Sequence, residues 1–237
     1  MIGFIKKNTP NTLTCCNLIA GAMATYQAFG GQTKWAFLLI VIGAVFDFFD
    51  GMVARLLHVS SPIGKELDSL ADVITFGLAP SAMLFTQLHV MTYPSICTPL
   101  QSYIPYIAFV MAAFSALRLA KFNLDDRQTT SFIGLPTPAN ALFWASLLTG
   151  FGASFASFTW ALPVLILFIF IFSYLLVSEI PMFALKFKTY ALSQNKLKYG
   201  FIVLSGIVLA FLGVLNGFWV VIALYICISC ITALKCQ

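Results

Sequence analysis

Residues 47–72 read DFFDGMVARLLHVSSPIGKELDSLAD. Four aspartates stand in this stretch, Asp47, Asp50, Asp68 and Asp72, and they make up half of the eight acidic residues in a chain of 237. On a helix, side chains at i, i+3, i+4 and i+7 share a face. Asp47, Asp50, Gly51 and Ala54 have that spacing, and Gly64, Asp68 and Asp72 follow at i, i+4 and i+8. The loop between the two faces is only a few residues long. It predicts two antiparallel helices whose aspartates converge. Gly51 and Ala54 are small enough to let a ligand or a second backbone approach closely.

The surroundings are apolar. The chain is 60% hydrophobic and 9% charged, with a mean hydropathy of +0.95; soluble domains carry about 25% charged residues. A membrane span needs about 20 apolar residues. The expectation is an all-α integral membrane protein, one membrane domain over 1–237, with about eight transmembrane helices. They are placed roughly at 12–29, 34–57, 64–89, 104–122, 138–153, 160–186, 199–215 and 218–235. Those over roughly 10–140 would carry the chemistry, with additional spans over roughly 160–235. Ile2, Phe4 and Ile5 set against Lys6 and Lys7 suggest a short interfacial helix at the N-terminus. The start reads as mature sequence, with no cleavage site after a first apolar run.

The net charge of +5 fits cytoplasmic loops better than a nucleic-acid partner. With a cytoplasmic N-terminus, twelve of the thirteen basic residues fall on that side and only Lys34 lies outside. The acidic stretch then sits at the cytoplasmic ends of the second and third spans of a cell (inner) membrane protein. Cys227 and Cys230 have a redox or zinc spacing but lie in an apolar run, where cysteine acts as a small hydrophobe.

Converging carboxylates near hydrocarbon are costly, at roughly 2.5–3.5 kcal/mol each even on insertion scales. Two divalent cations would neutralise four of them. All-oxygen ligation favours Mg²⁺, Mn²⁺ or Ca²⁺, and a pair of such ions suits phosphoryl displacement. A divalent-cation transporter, with the aspartates as its ion path, is an alternative from another class.

The pattern Asp47-x-x-Asp50-Gly51-x-x-Ala54-Arg55, eight residues, Gly64-x-x-x-Asp68-x-x-x-Asp72 resembles the signature of the CDP-alcohol phosphotransferases. The resemblance implies a membrane enzyme that moves a substituted phosphate from a CDP-linked donor to an alcohol and releases CMP. It implies Asp47, Asp50, Asp68 and Asp72 as ligands of two divalent cations, Mg²⁺ or Mn²⁺, with Ca²⁺ as a non-activating occupant. Asp72 would also be the general base, and Gly51, Ala54, Arg55 and Gly64 would line the CDP moiety.

Further stretches resemble the family members that use serine. They are Pro10-Asn11-x-x-Thr14-x-x-Asn17, Arg118 to Asn123, Thr75-Phe76-Gly77 and Phe132 to Ala139. They imply CDP-diacylglycerol as donor and L-serine as acceptor, with phosphatidylserine and CMP as products. Asn11, Thr14 and Asn17 would serve the donor; Arg118, Lys121 and Asn123 would serve serine, arginine being suited to a carboxylate. A homodimer among membrane lipids is also implied. A sister enzyme acting on glycerol phosphate or inositol phosphate remains the nearest alternative. Glu179 is expected inside the sixth span, paired with a basic residue or holding the serine ammonium, and Gly134 with its prolines is expected to shape a re-entrant turn.

Overall fold

The computed structural model describes the backbone of residues 2–59, 61–125, 132–183 and 195–235. Helix α1 (Ile2–Phe29) and helix α2 (Thr33–Leu57) form an antiparallel pair. Pro10, Thr14, Asn17, Gly21, Ala24 and Ala28 are buried along one face of α1, spaced alternately by four and three, with Ala20 beside them. They are small or polar. Large apolar residues stand on the exposed side, among them Ile19, Met23, Tyr26 and Phe29. Helix α2 repeats this in part, with Gly43 and Asp50 inward beside Ala36, Phe37 and Ile40, and Trp35, Ile42 and Phe48 outward. That inverted pattern suits lipid, where close helix packing rests on small residues and tails accept apolar side chains.

His58 ends α2 in a left-handed conformation, its amide meeting the Ala54 and Arg55 carbonyls. Ser61 then caps α3 (Pro62–Asp72) by accepting from the Gly64 amide at 3.0 Å, and proline takes the first helical position. Immediately after Asp72 the helix widens into a π-helical segment, Val73–Leu78, and continues as α4 (Ala79–Val90). Thr75 is fully buried there, and its Oγ1 donates to the Asn17 carbonyl at 3.0 Å. A Cβ at Gly21 or Gly43 would collide with Thr75, so both glycines are needed for the three helices to meet. Gly43→Val is expected to destabilise the protein by about 1–3 kcal/mol, the usual cost of overpacking, read as a lower unfolding midpoint in detergent.

Two 3₁₀ turns, Ser95–Leu100 and Ile104–Ala108, lead into α5 (Phe109–Leu124). A two-residue strand, β1 (Phe132–Ile133), precedes α6 (Thr137–Ser157); helix α7 (Ala161–Val177) runs to β2 (Pro181–Met182), which pairs antiparallel with β1. Gly134 has φ +75°, and a Cβ there would lie 2.6 Å from the Leu176 carbonyl oxygen. Its amide donates to Ile180 at 2.9 Å, and that of Leu135 to Leu175 at 2.8 Å. The turn expected at Gly134 is thus a loop folded onto the end of α7, where it satisfies a carbonyl the helix leaves free.

Helix α8 (Lys196–Lys235) breaks at Gly213, with φ 74° and ψ 162°. A Cβ on Gly217 would lie 2.8 Å from Leu209 Cδ2, so the two halves fold against each other. The break expected at Asn216-Gly217 therefore falls at Gly213, a backbone state that only glycine adopts readily. Asn216 faces Gly150 instead.

Three other expectations change. The separate interfacial helix is the continuous start of α1. The sixth span ends at Val177, not near 186, which leaves Glu179 outside the helix and exposed. Among the described residues, four segments are long and apolar enough to cross a membrane: Thr33–Leu57, Pro62–Val90, Ile104–Leu124 and Lys196–Leu234. Helix α7 is apolar but shorter. Helices α1 and α6 fall outside that set because polar residues such as Thr14, Asn17, Asn140 and Ser146 line their buried faces. Eight spans are thus not established. Of the basic residues that set the expected orientation, Lys6, Lys7, Arg127, Lys186, Lys188 and Lys235 lie outside the residues with described side chains.

Candidate active site

The aspartates of α2 lie in its last three turns, and those of α3 in the turns after the Ser61 cap. With α1 behind them, the two helix ends form one acidic site. Asp47, Asp50 and Asp68 bring carboxylate oxygens within 4.8 Å of one another. Asp72 stands apart from that trio and accepts from Asn17 Nδ2 at 3.2 Å. Thr14 Oγ1 donates to Asp50 Oδ2 at 2.6 Å. Glu66, the remaining acid of the stretch, points outward and is exposed.

Oxygen ligands of this number and closeness fit a divalent cation. Asp68 Oδ1 is buried and has no hydrogen-bond donor among the described residues, which is the state expected of an oxygen kept for a metal.

A cavity lies on each side of Gly51. The first, of about 210 Å³, is lined by Asn11, Thr14, Asp50, Ala54, Gly64, Lys65 and Asp68. Ser61 also opens onto it, so it sits at the start of α3, where a helix favours anions. Gly64 is kept small there: a Cβ would lie 3.0 Å from Asn11 Oδ1. The second cavity, of about 440 Å³, is lined by Asp47, Arg55, Asp68, Asp72, Arg118 and Asn123, with Pro136 and Pro138 closing one wall. Gly51 borders both cavities. Asp68 does too, so the acids form the wall between them.

The sequence-predicted residues divide along these lines. Asn11, Thr14, Ala54 and Gly64 line the first cavity, whereas Arg55 faces the second. Asn17 lines neither cavity. It is fully buried, holds Asp72 with its amide and receives Thr75 on its carbonyl. Arg118 and Asn123 line the second cavity with Asp72; Lys121 instead opens onto a neighbouring one with Glu179. Asn123 is fixed between two residues of α3: its Nδ2 donates to Ser69 Oγ at 2.7 Å, and its carbonyl accepts from Lys65 Nζ at 2.8 Å.

Ser61 and Ser69 escape a reading of the sequence for charge, Lys65 enters it only among the basic residues of one side, and Thr75 only within the stretch Thr75-Phe76-Gly77. Only the Ser61-Pro62 pair carries a signal, that of a helix start. Asn17 meets the acidic site through its hydrogen bond to Asp72. Asn17→Ala should lower kcat about 10–100-fold, given roughly 1.5–3 kcal/mol for a hydrogen bond to a charged group. The KM for the donor should stay near wild type, and steady-state kinetics with the donor varied will check it.

A family model described as CDP-alcohol phosphatidyltransferase matches residues 7–234. Three similar curated proteins bear the name CDP-diacylglycerol--serine O-phosphatidyltransferase. The one from Bacillus subtilis (strain 168) is 39% identical over 129 residues, 54% of this chain and 68% of that protein. That of Mycobacterium leprae (strain TN) is 34% identical over 183 residues, 73% of this chain and 57% of its own length. That of Helicobacter pylori (strain J99 / ATCC 700824) is 36% identical over 135 residues, with coverage of 56% and 54%. The matched segments thus span between about half and two thirds of these relatives.

Proposed function

The chain belongs to the CDP-alcohol phosphatidyltransferase family, and from that membership we propose that it transfers the phosphatidyl group of CDP-diacylglycerol to the hydroxyl of L-serine. The products are phosphatidylserine and CMP. The observation that carries the reading is the acidic wall shared by two cavities, one suited to a phosphate-bearing donor and one holding Asp72 beside Arg118. The names of the relatives support serine as the acceptor.

The donor pyrophosphate lies in the first cavity, near the start of α3, with its acyl chains in the bilayer. Gly51 and Gly64 leave room for it. Two divalent cations, Mg²⁺ or Mn²⁺, held by Asp47, Asp50, Asp68 and Asp72, would supply Lewis-acid neutralisation of that pyrophosphate. Serine directs its hydroxyl into the second cavity and meets Arg118, whose planar guanidinium suits its carboxylate. Asp72 takes the hydroxyl proton, and Asn17 holds Asp72 in place for this. The serine oxygen forms a bond to the phosphorus that carries the diacylglycerol, and the bond from that phosphorus to CMP breaks. This reading includes a homodimer in the inner membrane, with the site on the cytoplasmic side among Arg55, Lys65, Arg118 and Lys121.

An ion path is the weaker reading. A transporter keeps its coupling acids near the bilayer midplane, whereas these acids are displaced towards the Leu57 end of α2 and the Pro62 end of the continuous Pro62–Val90 segment. The test is CMP release from CDP-diacylglycerol with a panel of alcohols. Serine should support it; glycerol phosphate and inositol phosphate should not. Preference for a phosphorylated alcohol would move the protein to a sister activity.

A further inference from the structure

Arg118 borders two cavities. One holds Asp72; the other, of about 310 Å³, opens between the ends of α5 and α7 beside β1. The charged groups around the latter are Arg118, Lys121, Asp125 and Glu179, and the rest of its wall is largely apolar, as at Ile133 and Leu176. Both signs of charge in one small space fit a zwitterion. A phosphate alone would meet two carboxylates there.

Arg118 gives independent evidence of a ligand. It is only 7% exposed, and its Nε is buried with no hydrogen-bond acceptor among the described residues. Its Nη1 has a long contact of 3.5 Å with Thr137. The guanidinium also lies over the Phe122 ring at 5.0 Å, and with so few hydrogen bonds it is suited to receive a carboxylate. The position of Glu179 relative to it is set by the backbone. Ile133 pairs with Pro181, and the Gly134 amide bonds Ile180, so the residues after Glu179 are tied to the loop before α6.

Resting on the serine-acceptor reading, the geometry points to Glu179 as the residue that selects an amino acid by its ammonium. The cavity beside β1 receives the polar end of the acceptor, ammonium at Glu179 and carboxylate at Arg118, and the hydroxyl is directed towards Asp72. The four aspartates of the motif are then free of this task. Glu179 has contacts of its own within the fold, and the ammonium joins or replaces them.

The test compares the full-length enzyme with Glu179→Gln and Glu179→Asp in micelles containing CDP-diacylglycerol. Serine and 3-hydroxypropanoate, which is serine without its ammonium, are the acceptors. The Gln variant should raise the KM for serine roughly tenfold or more, with kcat and the donor KM within about twofold. The Asp variant should recover most of the loss, and the preference for serine over 3-hydroxypropanoate should collapse in the Gln variant. An unchanged serine KM and an unchanged preference would overturn the assignment. The wild-type protein gives a second reading that does not depend on a variant folding: 3-hydroxypropanoate competing as well as serine would also overturn it. A wild-type protein that ignores serine and uses glycerol phosphate would instead sink the acceptor reading itself.

Discussion

Asp72→Asn is expected to lower CMP release by about 10²–10⁴-fold, the range for losing a general base, while CDP-diacylglycerol still binds. Asparagine keeps the size of the side chain and an oxygen for Asn17, so packing should change little. What it lacks is a site for the hydroxyl proton. The position of Asp72 makes the expectation specific. It lies outside the trio of Asp47, Asp50 and Asp68, and it lines the cavity that contains Arg118. Asp68→Asn should behave differently and weaken donor binding as well, because Asp68 borders both cavities. Turnover at donor saturation, set against donor affinity measured without serine, separates the two. Normal turnover by the Asp72 variant would remove it as the base.

Chelation should have the second large effect. EDTA is expected to reduce activity to about 1% or less, given the several kcal/mol of charge stabilisation a metal supplies, and Mg²⁺ or Mn²⁺ should restore it. The cause is electrostatic. Two carboxylate oxygens no more than 4.8 Å apart repel by at least roughly 3 kcal/mol at an effective dielectric near 20. Three such groups in a partly buried site therefore need a counter-charge. Stability should follow: adding Mg²⁺ to stripped protein should raise its unfolding midpoint, as for any ligand that binds only the folded state. Asp47→Asn should blunt that rise. Full activity and an unmoved midpoint in EDTA would contradict metal use.

The acidic site was legible because aspartates at helical spacing in an apolar chain have few structural uses. A short loop then forces the two helices side by side, and the three-carboxylate trio follows. The paired helices α1 and α2 were legible for a related reason, since a polar face on an apolar helix must turn inward. What the sequence could not reveal arises from backbone detail and distant contacts. Asn17 looks like a donor ligand from its place near a helix start, yet the π-helical turn after Asp72 brings Thr75 onto its carbonyl and fixes its amide on Asp72. No periodicity announces that turn. Lys121 and Arg118 look equivalent in the sequence; three residues of helix separate their directions, and only Arg118 reaches the cavity of Asp72. The end of α7 was misplaced because apolar residues return after Ser178-Glu179, at Ile180, Met182 and Phe183, although Pro181–Met182 pairs as a strand. Composition alone does not establish the span count, because polar inward faces lower the hydropathy of α1 and α6.

The central claim is that one acidic wall brings donor and acceptor together for transfer. The most direct measurement follows CMP and labelled serine in the same reaction, with the purified protein in CDP-diacylglycerol micelles and Mg²⁺ or Mn²⁺. The account predicts CMP and phosphatidylserine appearing in equal amounts, both dependent on serine. CMP released with no labelled lipid, or phosphatidic acid formed in place of phosphatidylserine, would contradict it.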